Sequence, residues 1–187
     1  APLAGDSIRQ AIRLAERTAR DRRVFSMSMS APKERTDGEP SSLSTVLDQL
    51  AFGRGKKRRL IVVPAGNIDD VAIKATDHID LNDATPMRSP AQAMNAVTVG
   101  ACTHLVETGL WPKHLAPLGD LSPTSRTALT WTSTGVPNKP DIVMEGGNLA
   151  VDVDGISTVP TAELRVLTTA RDFAIQSFAC TGDTSAA

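Results

Sequence analysis

A serine close to the last printed residue is the first side chain with chemical potential. Ser185 lies in the segment GDTSAA, residues 182–187, and a serine hydroxyl becomes a nucleophile when a neighbouring base takes its proton. A serine before small residues is also typical of a helix cap. Taken alone, Ser185 therefore leaves both interpretations open, and the rest of the sequence must decide between them.

A group of aspartates offers a second kind of chemistry, because calcium binds several carboxylate oxygens at once. The group consists of Asp69, Asp70, Asp77, Asp80 and Asp83. Their spacing fits no calcium-loop motif, which favours solvated acids. The sequence therefore predicts no metal and no other cofactor, with calcium as the alternative.

The composition limits the classes of molecule that the protein is expected to bind. The 187 residues are 41% hydrophobic and 22% charged, with a net charge of −1. Attraction to nucleic acid or to an anionic membrane surface needs a basic excess, so we predict neither partner. No apolar run approaches the roughly 20 residues that span a bilayer. The compartment stays open, and a bacterial-type cytoplasmic protein is favoured.

Two alternations of helix and strand set the fold class. Apolar residues from Ile8 to Ala19 are spaced four, three and four apart, which predicts an amphipathic helix. The strand VFSMSMS follows over 24–30, then a second helix that ends at Gly53, then the apolar strand LIVVP. Such units pack through right-handed crossovers, so we predict an α/β fold whose parallel sheet is flanked by helices.

Further strands are predicted later in the chain. They are AVTVGAC at 96–102, PDIVMEGG at 140–147 and LRVLTT at 164–169. Two alternating runs around a Val-Asp-Gly turn in NLAVDVDGIST predict a surface hairpin. The region 68–89 shows a looser pattern and is predicted to be a long loop.

Three segments resemble the subtilase family of serine proteases in their order and spacing: VFSMSMS, VVPAGN and GDTSAA. The resemblance implies that Asn67 donates an amide hydrogen bond to the oxyanion of the reaction. It also implies a primary substrate pocket lined by Ser28, Met29, Ser30, Ala65 and Gly66. The flexible thioether of Met29 would give that pocket an apolar preference.

The resemblance makes Ser185 the catalytic nucleophile. The family motif Gly-Thr-Ser-Xaa-Ala is matched over 183–187, except that Asp183 stands where glycine is usual. Aspartate reaches the backbone angles of glycine only at a cost, which predicts a reshaped turn. Ser185 would attack the scissile carbonyl, while a histidine takes its proton and an aspartate orients that histidine.

The catalytic aspartate and histidine of the family precede the Asn67 turn, whereas His78, His104 and His114 all follow it. We therefore expect both groups upstream and interpret residues 1–187 as a partial subtilase catalytic domain. Such a piece would lack the N-terminal strands of the sheet and most of the helix after the nucleophile, and alone it would be nearly inert. A complementary N-terminal fragment or self-association would cover the open sheet edge.

Three functions follow from these observations. The first is a serine endopeptidase that acts on peptides or proteins. The second, motivated by Asp183 and the absent base, is a catalytically inactive subtilase-like module that binds peptides or partners. The third is an unrelated doubly wound domain that binds a small ligand at its strand ends, although the chain has no glycine-rich phosphate loop.

Overall fold

The computed structural model describes residues 4–17, 23–31, 35–53 and 57–187. Its helices are α1 (Ala4–Arg17), α2 (Ser42–Phe52) and α3 (His78–Ala84). Its strands are β1 (Val24–Ser26), β2 (Leu60–Pro64), β3 (Val97–Cys102), β4 (Lys113–His114), β5 (Ile142–Glu145), β6 (Ala150–Val151), β7 (Thr158–Val159), β8 (Val166–Thr169) and β9 (Phe178–Thr181).

A four-stranded parallel sheet with the order β1-β2-β3-β5 forms the centre of the fold. Val24 pairs with Leu60 across the first two strands, and Val99 pairs with Ile142 across the last two. Because all neighbours run parallel, the carboxyl ends of the four strands meet at one edge. The predicted α/β fold with a parallel sheet flanked by helices is confirmed.

The main apolar core joins helices α1 and α2 to this sheet. Its buried members include Ile8 and Ile12 of α1, Leu47 of α2, and Ile61 and Val63 of β2. Burying one such side chain stabilises the fold by about 1.5–3 kcal/mol. The predicted apolar face of α1 therefore packs as expected, while its last member, Ala19, lies outside the described residues.

Helix α2 is capped at both ends, and it stops at Gly53 as predicted. Ser41 Oγ accepts the backbone N–H of Ser44, and Ser44 Oγ accepts that of Ser41, which satisfies two free donors at the helix start. Gly53 ends the helix with φ of +60°, a conformation that favours glycine. These caps fix where the chain enters β2.

Strand β1 is shorter than predicted, ending at Ser26 instead of residue 30. The N–H of Met27 still bonds to Val62 O, but the N–H of Met29 turns back to the carbonyl of Met27. The backbone from Met27 onward therefore leaves the ladder. Residues 28–30 form an irregular segment at the edge of the sheet.

The prediction of a loop over 68–89 was wrong. A 3-10 helix (Asp70–Ala72) and α3 lie in this region. The buried amide of Asn82 in α3 donates to the carbonyls of Ser122, Pro123 and Ser125. This anchor joins segments about 40 residues apart, so the local sequence pattern could not reveal it.

Two smaller antiparallel sheets complete the fold. Strands β4, β6 and β7 form one of them, and the β6–β7 hairpin confirms the predicted turn in NLAVDVDGIST. Strands β8 and β9 form the other, and β8 begins at Val166 because the 3-10 helix Ala162–Leu164 occupies the preceding residues. Among the described residues, no helix is long and apolar enough to cross a membrane.

Candidate active site

The segment that carries Ser185 returns to the carboxyl ends of the parallel strands. After β9 the chain passes through Asp183, whose N–H donates to Gly146 O at 2.7 Å. Ser28 Oγ then lies 3.4 Å from the backbone oxygen of Ser185. A narrow cavity of about 20 Å³ is lined by residues 26–28, 62–64 and 99 together with Thr184, Ser185 and Ala187. Ligands of open α/β sheets bind at this edge.

Two hydrogen bonds connect the Ser185 segment to Asn67. The backbone N–H of Thr184 donates to Asn67 Oδ1 at 3.1 Å, and Thr184 Oγ1 donates to the same oxygen at 2.6 Å. A backbone N–H can only donate, so the atom that faces it must be the carboxamide oxygen. The Asn67 NH₂ group is therefore turned away from Thr184 and can donate elsewhere.

The Asn67 turn is held from both sides. Gly66 donates its N–H to Thr184 Oγ1 at 3.1 Å, and its φ of +95° favours glycine. Arg126 Nε donates to the Asn67 carbonyl at 2.7 Å. Burial, together with the nearby charge of Arg88, lowers the pKa of Arg126 to about 10. Arg126 therefore fixes the backbone from which the Asn67 carboxamide projects.

Asp183 adopts the left-handed conformation that its glycine-like position requires, with φ of +76°. Its side chain is half-buried, and within the described residues Oδ1 has no hydrogen-bond partner. Burial raises the pKa of this carboxyl, and the charges of Asp70 and Asp69 add to the rise, while Thr124 and Arg165 oppose it. The expected strain at this turn is thus accompanied by an electrostatic cost.

The family model of the subtilase family matches residues 2–187. The chain belongs to the subtilase family. No individual curated protein matches it. Family membership supports a serine peptidase, and it removes the interpretation of an unrelated ligand-binding α/β domain. The fold around Asn67 and Ser185 is thus a subtilase fold.

The predicted pocket residues of the subtilase take up different surroundings. Ala65 is fully buried, and its N–H bonds to Val99 O. Ser28 is exposed beside Ser185, and Ser30 is half-buried. Met29 lines an apolar groove of about 510 Å³ together with Ile8, Ile12 and Phe25. The assignment of these residues to substrate binding stays a prediction.

The three histidines of the subtilase all lie within the described ranges. His104 Nδ1 is 3.4 Å from Glu145 Oε2, and His114 Nδ1 is 3.0 Å from Val106 O. Burial lowers the pKa of His78. Within the described residues none of them forms a hydrogen bond with Ser185. In the described structure, none of these three histidines is therefore placed to accept the proton of Ser185.

Two of the aspartates between residues 69 and 83 have separate partners. Asp70 forms an ion pair with Arg165, and the carboxylate of Asp69 accepts the N–H of Val71 at 3.4 Å. The described part of the chain contains no group of three or more histidine, cysteine or acidic residues that could hold a metal ion. Calcium binding stays the alternative prediction.

Sequence reasoning missed two residues of this site, Thr184 and Arg126. Thr184 belongs to the GDTSAA motif, in which no role is predicted for it, and no local pattern singles out Arg126. Their contacts with Asn67 span 117 and 59 residues, respectively. Hydrogen bonds over such distances leave no local pattern in a single sequence.

Proposed function

We propose that this subtilase is a serine endopeptidase that hydrolyses peptide bonds through an acyl-enzyme on Ser185. The contact between Thr184 and Asn67 carries the proposal. Thr184, the residue before the nucleophile, bonds to the carboxamide of Asn67, which the family resemblance assigns to oxyanion binding. A nucleophile and an oxyanion donor must both reach the same carbonyl group of the substrate, and the contact of Asn67 with the neighbour of Ser185 supports such an arrangement.

Each group has a defined step. Ser185 Oγ attacks the scissile carbonyl carbon, the carbonyl π electrons move to its oxygen, and the serine proton goes to a histidine. The NH₂ group of Asn67 and the backbone N–H of Ser185 donate to the oxyanion. The histidine then protonates the departing amine, which leaves the acyl group on Ser185. Water hydrolyses this ester and restores the serine.

The catalytic histidine and aspartate come, in this proposal, from sequence upstream of these 187 residues or from a complementary fragment. The support is twofold. The three histidines follow Asn67 in sequence. His104 contacts Glu145, His114 contacts the carbonyl of Val106, and burial lowers the pKa of His78. No metal or organic cofactor has a step in this reaction, and the substrate is a peptide or a protein.

An inactive peptide-binding module is the second candidate, and Asp183 favours it. Its carboxyl group precedes Thr184 and Ser185, and negative charge there opposes the charge that builds on the oxyanion. Burial raises the pKa of Asp183, so this carboxyl stays protonated to a higher pH than an ordinary aspartate. In that neutral form it does not oppose the oxyanion. The two candidates therefore differ in one observable, which is turnover of a bound peptide.

Hydrolysis of a fluorogenic peptide library by the intact protein tests the proposal. We expect turnover by the wild type and a loss of about 10³-fold or more in kcat for Ser185→Ala, with an unchanged melting temperature. The control is Ser177→Ala, which removes an exposed hydroxyl before β9 and should leave kcat unchanged. Peptide binding without turnover in the wild type would reject the endopeptidase in favour of the binding module. Equal turnover by Ser185→Ala and the wild type would reject Ser185 as the nucleophile.

A further inference from the structure

A cleft opens beside the Asn67 turn, with a volume of about 540 Å³. Its lining includes Asn67, Asp69, Asp70, Arg88 and Asp183. Because Asn67 is the proposed oxyanion donor, this cleft lies beside the place of the scissile bond. The predicted pocket residues Ala65 and Gly66 do not line it, and Arg88 connects the two because it lines the cleft and packs on Gly66. The charged side chains of the cleft therefore bear on which residue fits.

Arg88 is built into the wall of the predicted substrate pocket. Its backbone N–H donates to Ala65 O at 3.1 Å. Its side chain packs on Gly66 so closely that a Cβ there would lie 3.1 Å from Arg88 Cβ. Ala65 and Gly66 are the predicted pocket residues, so the backbone and the side-chain stem of Arg88 are fixed against them.

The guanidinium of Arg88 remains available. Within the described residues, none of the hydrogen bonds or ion pairs involves this group. The neighbouring cations differ, because Arg126 donates to the carbonyls of Asn67 and Pro86, and Arg165 pairs with Asp70. Arg88 thus retains the planar set of N–H donors that matches a carboxylate.

The carboxylates of the cleft differ in their partners. Asp70 is paired with Arg165, Asp69 accepts the N–H of Val71, and Asp183 Oδ1 has no hydrogen-bond partner among the described residues. None of the three forms an ion pair with Arg88 in the described structure. Arg126 also packs on Gly66, and burial together with the nearby charge of Arg88 lowers the pKa of Arg126. An anion at Arg88 would relieve that repulsion.

We propose that Arg88 makes this subtilase selective for substrates with a glutamate or aspartate on the acyl side of the scissile bond. Arg88 is then a specificity-determining residue, and the preference for an apolar residue expected from Met29 is replaced by a preference for an acid. The inference rests on the proposed endopeptidase function. The charge and the fork geometry of the guanidinium supply the recognition.

Matched peptides test the preference with the intact protein. They differ only in Glu, Gln or Lys at the residue before the scissile bond. Glu and Gln have nearly the same shape, so their ratio of kcat/KM reports charge. We expect Glu to exceed Gln by about ten- to a hundredfold, the range of one charged hydrogen-bonded contact. In Arg88→Met this ratio should fall to about one, and in Arg88→Glu the Lys peptide should become the best substrate.

Two controls separate the possible failures. Arg13→Met removes an exposed arginine of α1 and should leave the Glu/Gln ratio unchanged. Labelling by a neutral fluorophosphonate reports Ser185 reactivity independently of substrate charge. A labelled wild type with a Glu/Gln ratio of one or less would overturn the role of Arg88 alone, as would an unchanged ratio in a folded Arg88→Met protein. A wild type that is neither labelled nor active would overturn the endopeptidase and this inference together.

Discussion

Asn67 Oδ1 receives two hydrogen bonds from Thr184, one from the backbone N–H at 3.1 Å and one from Oγ1 at 2.6 Å. The contact joins residues 117 positions apart. It fixes the position of the Ser185 turn and also the orientation of the Asn67 carboxamide. Orientation matters because preorganised donors stabilise a developing oxyanion without reorganising during the reaction.

Replacing Thr184 with valine tests this orientation. Thr184→Val keeps the backbone N–H bond but loses the hydroxyl that donates to Asn67 Oδ1 and accepts the Gly66 N–H. We expect kcat of the intact protein to fall about three- to tenfold, which corresponds to the net worth of the one hydrogen bond by which the hydroxyl orients Asn67 Oδ1. Thr184→Ser retains the hydroxyl and should recover most of the activity. Equal kcat values for the valine variant and the wild type would show that the hydroxyl does not position Asn67.

Removing the Asn67 carboxamide tests the oxyanion assignment. Asn67→Ala should lower kcat about 100- to 1,000-fold, the range for loss of one oxyanion donor, for which subtilisin is the reference case. KM should change little, because the donor acts on charge that develops in the transition state. Steady-state kinetics on one fluorogenic peptide measure both constants. A variant with a raised KM and an intact kcat would assign Asn67 to substrate binding instead.

The Asp183 carboxyl makes stability depend on pH in a predictable direction. Burial raises its pKa, so the folded state holds this proton more tightly than the unfolded state. Its stabilising contribution is present below the ordinary aspartate pKa and is lost as pH rises through the raised value. Asp183→Asn keeps the size, tolerates positive φ and has no charge to bury. The variant should therefore unfold at higher urea concentration than the wild type at neutral pH.

The advantage of Asp183→Asn should shrink as pH falls to about 4, where the wild-type carboxyl binds a proton. Urea unfolding of both proteins across this range provides the measurement. Asp172→Asn, at an exposed position between β8 and β9, is the matched control and should show no comparable trend. A stability difference that stays constant with pH would mean that the Asp183 carboxyl is not responsible.

Local patterns predicted the parts of the fold that depend on neighbouring residues. Gly53 indicated the end of α2, and the apolar run LIVVP indicated β2. The predicted end of β1 was wrong because the N–H of Met29 bonds to the carbonyl of Met27. Where a strand leaves its ladder depends on where the partner strand stops. Helix α3 was missed because Asn82 is anchored by carbonyls about 40 residues away.

The candidate site divides in the same way. The motif residues Asn67 and Ser185 could be named from the sequence because the family resemblance singles them out. The guanidinium groups of Arg88 and Arg126 could not, since their importance depends on packing against Gly66 and on a hydrogen bond to Asn67. One aspartate, Asp183, was visible in the motif, and the structure adds its buried surroundings.

Fluorophosphonate labelling of the intact protein, mapped by mass spectrometry, tests the central claim most directly, because the reagent reacts with a serine only when a base and an oxyanion site activate it. We predict one modified residue, Ser185, with labelling slowed in Asn67→Ala and absent in Ser185→Ala. An unlabelled Ser185 in the folded intact protein, or a label on another serine, would contradict the claim that this hydroxyl is the nucleophile.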